Sequence, residues 1–158
     1  MRDLNIYNIP LGEINLERID ISSREHKKAI SKLRDFEAKK MMFDVKQTVN
    51  LIKNNREVGN SYLIKKNQDY IGYIYISNVD NNEGRVISMM IERSVRNKGY
   101  GKIVLNSIST YLFEKDLAKS IFVYIKDKNT KSKAMVSSCG YSLIDKMDNN
   151  TGIYERKR

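Results

Sequence analysis

The chain has 158 residues, 41% of them hydrophobic, with one Pro, eight Gly, one Cys and one His, which suits a single domain over 1–158 and leaves no Pro- or Ser-rich tract for a linker. A lone Cys and a lone His exclude an intramolecular disulfide and a Cys/His metal centre, and no apolar run approaches the roughly 20 residues of a membrane span, so a cytoplasmic protein without a metal is expected. The formal charge is +10, and residues 84–158 hold most of it, with 15 Lys and Arg against 7 Asp and Glu; an anionic ligand or partner would explain that asymmetry, and so would solvated surface lysines.

Residues Leu4 to Ile9 suggest at most a short edge segment. Ile14, Leu16, Ile19 and Ile21 alternate imperfectly and predict a first strand, bulged near Arg18. Ser22-Ser23-Arg24-Glu25 has capping-box form, and Ala29, Ile30, Leu33 and Phe36 follow on one helical face, predicting a helix over about 23–35. Asp44 with Gln47 repeats the signal for a second helix, about 44–55, with Met41, Met42 and Phe43 in the link between the two. Tyr62 to Lys66 and Tyr70 to Asn78 read as a hairpin around Asn67-Gln68-Asp69, in which strict alternation puts Tyr73 and Tyr75 opposite Tyr70, Ile74 and Ile76.

After the turn Asp80 to Gly84 comes a central strand, Arg85 to Ile91, then Arg96-Asn97-Lys98-Gly99-Tyr100-Gly101. A helix follows with Val104, Leu105, Ile108, Tyr111 and Leu112 inward and Lys102, Asn106, Ser109, Glu114 and Lys115 outward. Strand, glycine loop and helix in that order, with Arg96, Lys98 and Lys102 alongside, let backbone amides and a helix N-terminus face an anion. A dinucleotide fingerprint would need Gly at Val104, and a Walker loop would need Ser or Thr at Ile103. Ser120 to Lys126 is a further strand, apolar on both faces, followed by a helix over Asn129 to Cys139. Strands over about Tyr141–Lys146 and Thr151–Glu155 flank Asp148-Asn149-Asn150, and Arg156 to Arg158 are expected to fray. Cys139 reads as a small core thiol, since a nucleophilic pair would require it to meet His26.

The loop R-x-x-G-x-G resembles the acetyl-CoA motif of the GNAT family of N-acetyltransferases, and a second block strengthens the likeness. Ile125 to Asn129, then Ser132, Ala134 and Cys139-Gly140-Tyr141, is similar to that family's strand, Asn-x-x-[AS] helix start and closing Gly-aromatic pair. The resemblance implies an α+β fold, with a mixed central sheet of about seven strands and helices on both faces. It implies acetyl-CoA as cosubstrate and no metal. The splayed strand end at Met89, Met90 and Ile91 would hold the pantetheine arm and thioester. Arg96, Asn97, Lys98, Gly99, Tyr100, Gly101 and Lys102 would hold the pyrophosphate, with Asn129 and Ser132 at the pantetheine or acceptor side.

Transfer of acetyl to an amine requires a held thioester, a deprotonated amine and a stabilised oxyanion. Glu92, just after the central strand, and Tyr124, where several family members place an acid facing the cleft, are the candidates for proton transfer. The family's usual tyrosine acid, four residues before the Gly-aromatic pair, is replaced by Val136, a departure shared with the branch that acetylates ribosomal-protein N-termini and some small amines. The expected partner is an amine-bearing small molecule or protein, with an acidic or RNA-borne acceptor favoured by the basic C-terminal half. The chain would act without a membrane, as a monomer or homodimer. The alternatives are a degenerate acyl-CoA-binding or regulatory module, a toxin-type acetyltransferase acting on aminoacyl-tRNA, and a basic RNA-associated protein whose loop touches nucleic-acid phosphates.

Overall fold

The computed structural model describes residues 4, 6–33 and 59–158. The expected helix at 44–55, with Met41, Met42, Phe43 and Phe36, lies outside the described residues. The order is β1 (Asn8–Leu11), β2 (Ile14–Arg18), α1 (Arg24–Lys32), β3 (Gly59–Lys66), β4 (Asp69–Ser77), β5 (Gly84–Ile91), a 3₁₀ turn (Arg93–Val95), α2 (Tyr100–Glu114), β6 (Ser120–Lys126), α3 (Thr130–Ser138), β7 (Ser142–Met147) and β8 (Thr151–Lys157). These strands form one sheet of eight in the order β1-β2-β3-β4-β5-β6-β8-β7. All neighbours are antiparallel except β5 and β6. The extra strand over the expected seven is β1, which pairs Ile9 with Leu16 at the sheet's edge.

Helices cover both faces. On one side α2 and α3 set Val104, Leu105, Ile108, Leu112 and Val136 against Ile64, Ile74, Ile76, Ile87, Ile121 and Val123. On the other, Ala29 and Ile30 of α1, with Leu33 just past its end, pack with Ile19, Leu63, Tyr73 and Met90. The first strand ends earlier than the alternation predicted. Ile14 and Leu16 face the larger core but Ile19 faces α1, with its N–H bonded to the Ser61 carbonyl at 2.9 Å. The α1 cap is Ser23, whose Oγ accepts from the His26 N–H at 3.2 Å, while Ser22 bonds Asp20 instead.

Three expectations are corrected. Tyr70 shares the face of Tyr73 and Tyr75, because Lys65 pairs with Tyr70 and Ile64 with Gly72, leaving Ile71 as an extra residue. That β-bulge reverses the alternation at one point, and Ile71, not Tyr70, joins Ile74 and Ile76 in the larger core. Ser109 is fully buried rather than outward. Its Oγ donates to the Leu105 carbonyl at 2.6 Å and shares a hydrogen bond with Tyr141 Oη at 2.7 Å, which satisfies a polar group inside the core. The C-terminal residues do not fray: β8 runs to Lys157, Arg156 bonds Asn106 and covers the Phe113 ring, and the Arg158 N–H reaches the Lys119 carbonyl.

Candidate active site

The central parallel pair is short. β5 and β6 pair only at Gly84–Ser120, Arg85–Ile121 and Val86–Phe122; past Val86 the strands part. Gly84 permits the close start, since a Cβ there would lie 2.6 Å from the Phe122 ring. At the far end of β5, a Cβ on Gly72 would lie 2.4 Å from the Met90 carbonyl, so the bulged strand β4 can approach β5 only with glycine there. The Glu92 N–H then closes on the Ile71 carbonyl at 2.8 Å, which fixes where the chain leaves the sheet and the loop begins.

Two cavities occupy the opening. One, of about 210 Å³, is lined from β5 by Ile87, Ser88 and Met89, from β6 by Val123, Tyr124, Ile125 and Lys126, and by Leu105, Asn129, Ser132, Met135 and Val136. The other, of about 370 Å³, is lined by Met89, Ile91 and Val95, by Arg96, Asn97, Gly99, Tyr100, Gly101 and Lys102, and by Lys131, Ser132 and Met135 of α3. Met89, Ser132 and Met135 line both, so the opening between the strands leads into the glycine loop.

The loop is held open by its own bonds. Arg96 Nε donates to the Ile91 carbonyl at 2.7 Å. Asn97 and Gly99 have positive φ, 63° and 83°, and Gly99 is the left-handed residue from which α2 starts. Gly101 stands where a Cβ would lie 2.9 Å from Met135 Sδ, so the first turn of α2 and the middle of α3 approach closely across the cavity floor. Tyr100 Oη accepts from Lys66 Nζ at 2.8 Å, anchoring the start of α2 to the β3–β4 hairpin.

Most of the residues expected from the motif thus line a cavity. The exceptions are Met90, whose side chain packs on the α1 face beside Tyr73, Lys98, which is exposed and lines neither cavity, and Glu92. The Glu92 carboxylate caps the 3₁₀ turn, accepting from the Ser94 N–H at 3.1 Å and from its hydroxyl. Tyr124 is 49% exposed and lines the cavity between the strands. Asn129 caps α3, its Oδ1 accepting from the Ser132 N–H at 3.2 Å. Val136 is buried at the cavity wall. Cys139 is buried in the larger core and His26 sits on α1 across the sheet, so they form no pair.

Ser88, Val95, Lys131 and Met135 line the cavities without having been singled out from the sequence. A polar Ser88 inside the apolar run Val86 to Ile91 was one available signal; the others come together only through the packing of α3. Among the described residues no group of three His, Cys, Asp or Glu could hold a metal ion, and no described helix is long and apolar enough to cross a membrane.

Residues 26–141 match the profile described as the acetyltransferase (GNAT) family. No curated protein matches the chain. Among solved structures, it is similar to an acetyltransferase from Salmonella typhimurium that modifies the N-terminal serine of ribosomal protein L7/L12, at 16% identity and TM-score 0.77, covering 96% of this chain and 99% of that one. It is similar also to the microcin C7 self-immunity acetyltransferase MccE in complex with acetyl-CoA and AMP, at 17% identity, TM-score 0.72 and 98% of both chains. It is similar as well to a spermidine N-acetyltransferase chimera from Vibrio cholerae and hSSAT, at 11% identity and TM-score 0.73, over 92% of this chain and 96% of that one.

Proposed function

The chain belongs to the acetyltransferase (GNAT) family, and from that premise we propose that it is an N-acetyltransferase that passes acetyl from acetyl-CoA directly to a primary amine within a ternary complex. The observation that carries the reading is the strand opening past Val86 and Phe122, which runs into a loop cavity edged by Arg96 and Lys102. A slot between strands suits a narrow pantetheine arm. A glycine loop with cations at a helix start suits its pyrophosphate.

Acetyl-CoA, when bound, supplies the activated acetyl thioester. The chain's own parts then have separate tasks. The β6-facing edge of β5 past Val86, unpaired there, offers backbone donors fixed in direction by the ladder to β4 on the other edge; such preorganised donors typically contribute about 3 kcal/mol each to acyl transfer. Met89 and Met135 form the apolar walls. Tyr124 and Ser88 are the hydroxyl-bearing residues from β6 and β5 that line the strand cavity, and Tyr124 is assigned to proton transfer or acceptor contact. Glu92 stays the second candidate base, reachable only if its carboxylate leaves Ser94.

The solved neighbours put a peptide N-terminus and a polyamine first in any acceptor panel, followed by an amino sugar and an aminoacyl-tRNA. The test is thermal unfolding with and without acetyl-CoA, followed by thiol release with that panel. Acetyl-CoA near 100 times Kd adds about 2.7 kcal/mol and raises Tm by roughly 5–10 °C. No shift overturns the reading. A shift without turnover on any amine favours an acyl-CoA-binding module, to which Val136 in the place of the family's tyrosine lends support.

A further inference from the structure

The amides at a helix N-terminus present positive partial charge, so first turns favour acids and disfavour lysines. α1 follows this in part, with Glu25 beside Arg24 in its first turn and Lys32 in its last. α2 and α3 do not: neither has an acid in its first turn, and Lys102 and Lys131 stand there instead. Both departures occur at one place, since the two first turns line the same cavity of about 370 Å³. Neither the glycine loop nor the Asn-x-x-[AS] pattern designates Lys131.

Lys131 Nζ reaches from α3 to Asn97 Oδ1 at 3.4 Å, a long contact for an ammonium and one with a neutral partner. Among the described residues Lys131 forms no ion pair. Its neighbour Lys133 is turned away and donates to the Asp127 carbonyl at 3.1 Å. Local stability therefore gives no reason for a cation at 131, whereas an anion in the cavity does.

We propose that Lys131 is a ligand for the phosphate groups of the coenzyme, held on Asn97 across the cavity until they bind. The assignment rests on the acetyl-CoA reading and adds a ligand from α3 to the loop that starts α2. The phosphate's charge faces Lys131, Lys102 and both helix starts, and supplies the negative charge that the two first turns lack.

The test compares wild type with Lys131→Gln and Lys131→Arg. Lys131→Gln is expected to raise the KM for acetyl-CoA roughly ten- to a hundredfold, as for loss of a charged hydrogen bond, and Lys131→Arg to restore most of it. With S-acetylpantetheine, which has no phosphate, wild type and Lys131→Gln should have equal KM. Dephospho-acetyl-CoA separates the two sources: a penalty that persists assigns Lys131 to the pyrophosphate, and one that vanishes assigns it to the 3′-phosphate. The free Lys131→Gln protein should melt no lower than wild type, because the substitution removes an unfavourable charge from a helix start. An unchanged KM for acetyl-CoA, or an equal penalty on S-acetylpantetheine, overturns the assignment. Wild type that binds no acetyl-CoA would instead overturn the acetyltransferase reading.

Discussion

Tyr124 stands on β6 two residues past the last β5–β6 pair, where the strands have just separated, so its phenol borders the cavity and not the core. A hydroxyl there can pass a proton to or from a bound amine or thiolate. Tyr124→Phe is expected to lower kcat by about 100-fold, the lower end of general acid–base contributions, with little change in the KM for acetyl-CoA; steady-state kinetics with the best amine of the panel decide it. Unchanged kcat would return the role to Glu92 or to water. At this scale the sequence was informative wherever chemistry depends on backbone: Arg96, Gly99 and Gly101 carry their geometry in their residue types. It was uninformative for Lys131 and Ser88, because a lysine at a helix start or a serine in a strand has no visible partner until the elements pack.

Among elements, β2, β3, β4 and α1 meet at Glu17. Its Oε2 accepts from Tyr70 Oη at 2.8 Å and contacts His26 Nε2 at 3.2 Å, and its Oε1 accepts from Lys65 Nζ at 3.2 Å. The His26 Nδ1 accepts from the Asp20 N–H at 2.9 Å, so the proton of neutral His26 lies on Nε2 and points at Glu17. Burial raises the Glu17 pKa, but the bonds from Tyr70, Lys65 and His26 together outweigh it and hold the carboxyl below its ordinary value. A carboxylate with a lowered folded pKa stabilises the fold above its unfolded pKa, about 4.3, and loses that contribution as pH falls through the folded value. Urea midpoints should therefore show wild type more stable than Glu17→Gln at neutral pH, with the gap closing in acid; a constant gap would show that the charge is not what matters. The network depends on the Ile71 bulge, which turns Tyr70 toward Glu17. Alternation alone could not reveal it, because the strand's apolar residues fit either face; the one local mark is Gly72 beside the extra residue, since a glycine inside a strand points to a bulge or a close backbone approach.

In the whole molecule, β1–β5 and β6–β8 are joined along the sheet by only three pairs, yet Ile87, Val104, Leu105, Ile121, Val123 and Tyr154 share one core spanning both halves. We propose on that basis that the chain unfolds as one domain: tyrosine fluorescence and far-UV circular dichroism should give coincident urea transitions, and two resolved transitions would separate the halves. The opening between β5 and β6 is thus cut into the sheet while α2 and α3 hold its two sides together. The sequence by itself determined the types of the described elements from β2 to α1 and from β3 to β8, the glycine loop and the α3 cap, because periodicity, glycine at positive φ and capping side chains act over a few residues. Only the tertiary structure decided where β5 and β6 part, which face Tyr70 takes and that the first turns of α2 and α3 share a cavity. Those outcomes depend on contacts between residues tens of positions apart, such as Gly72 with Met90 and Gly101 with Met135, whose packing no local pattern encodes.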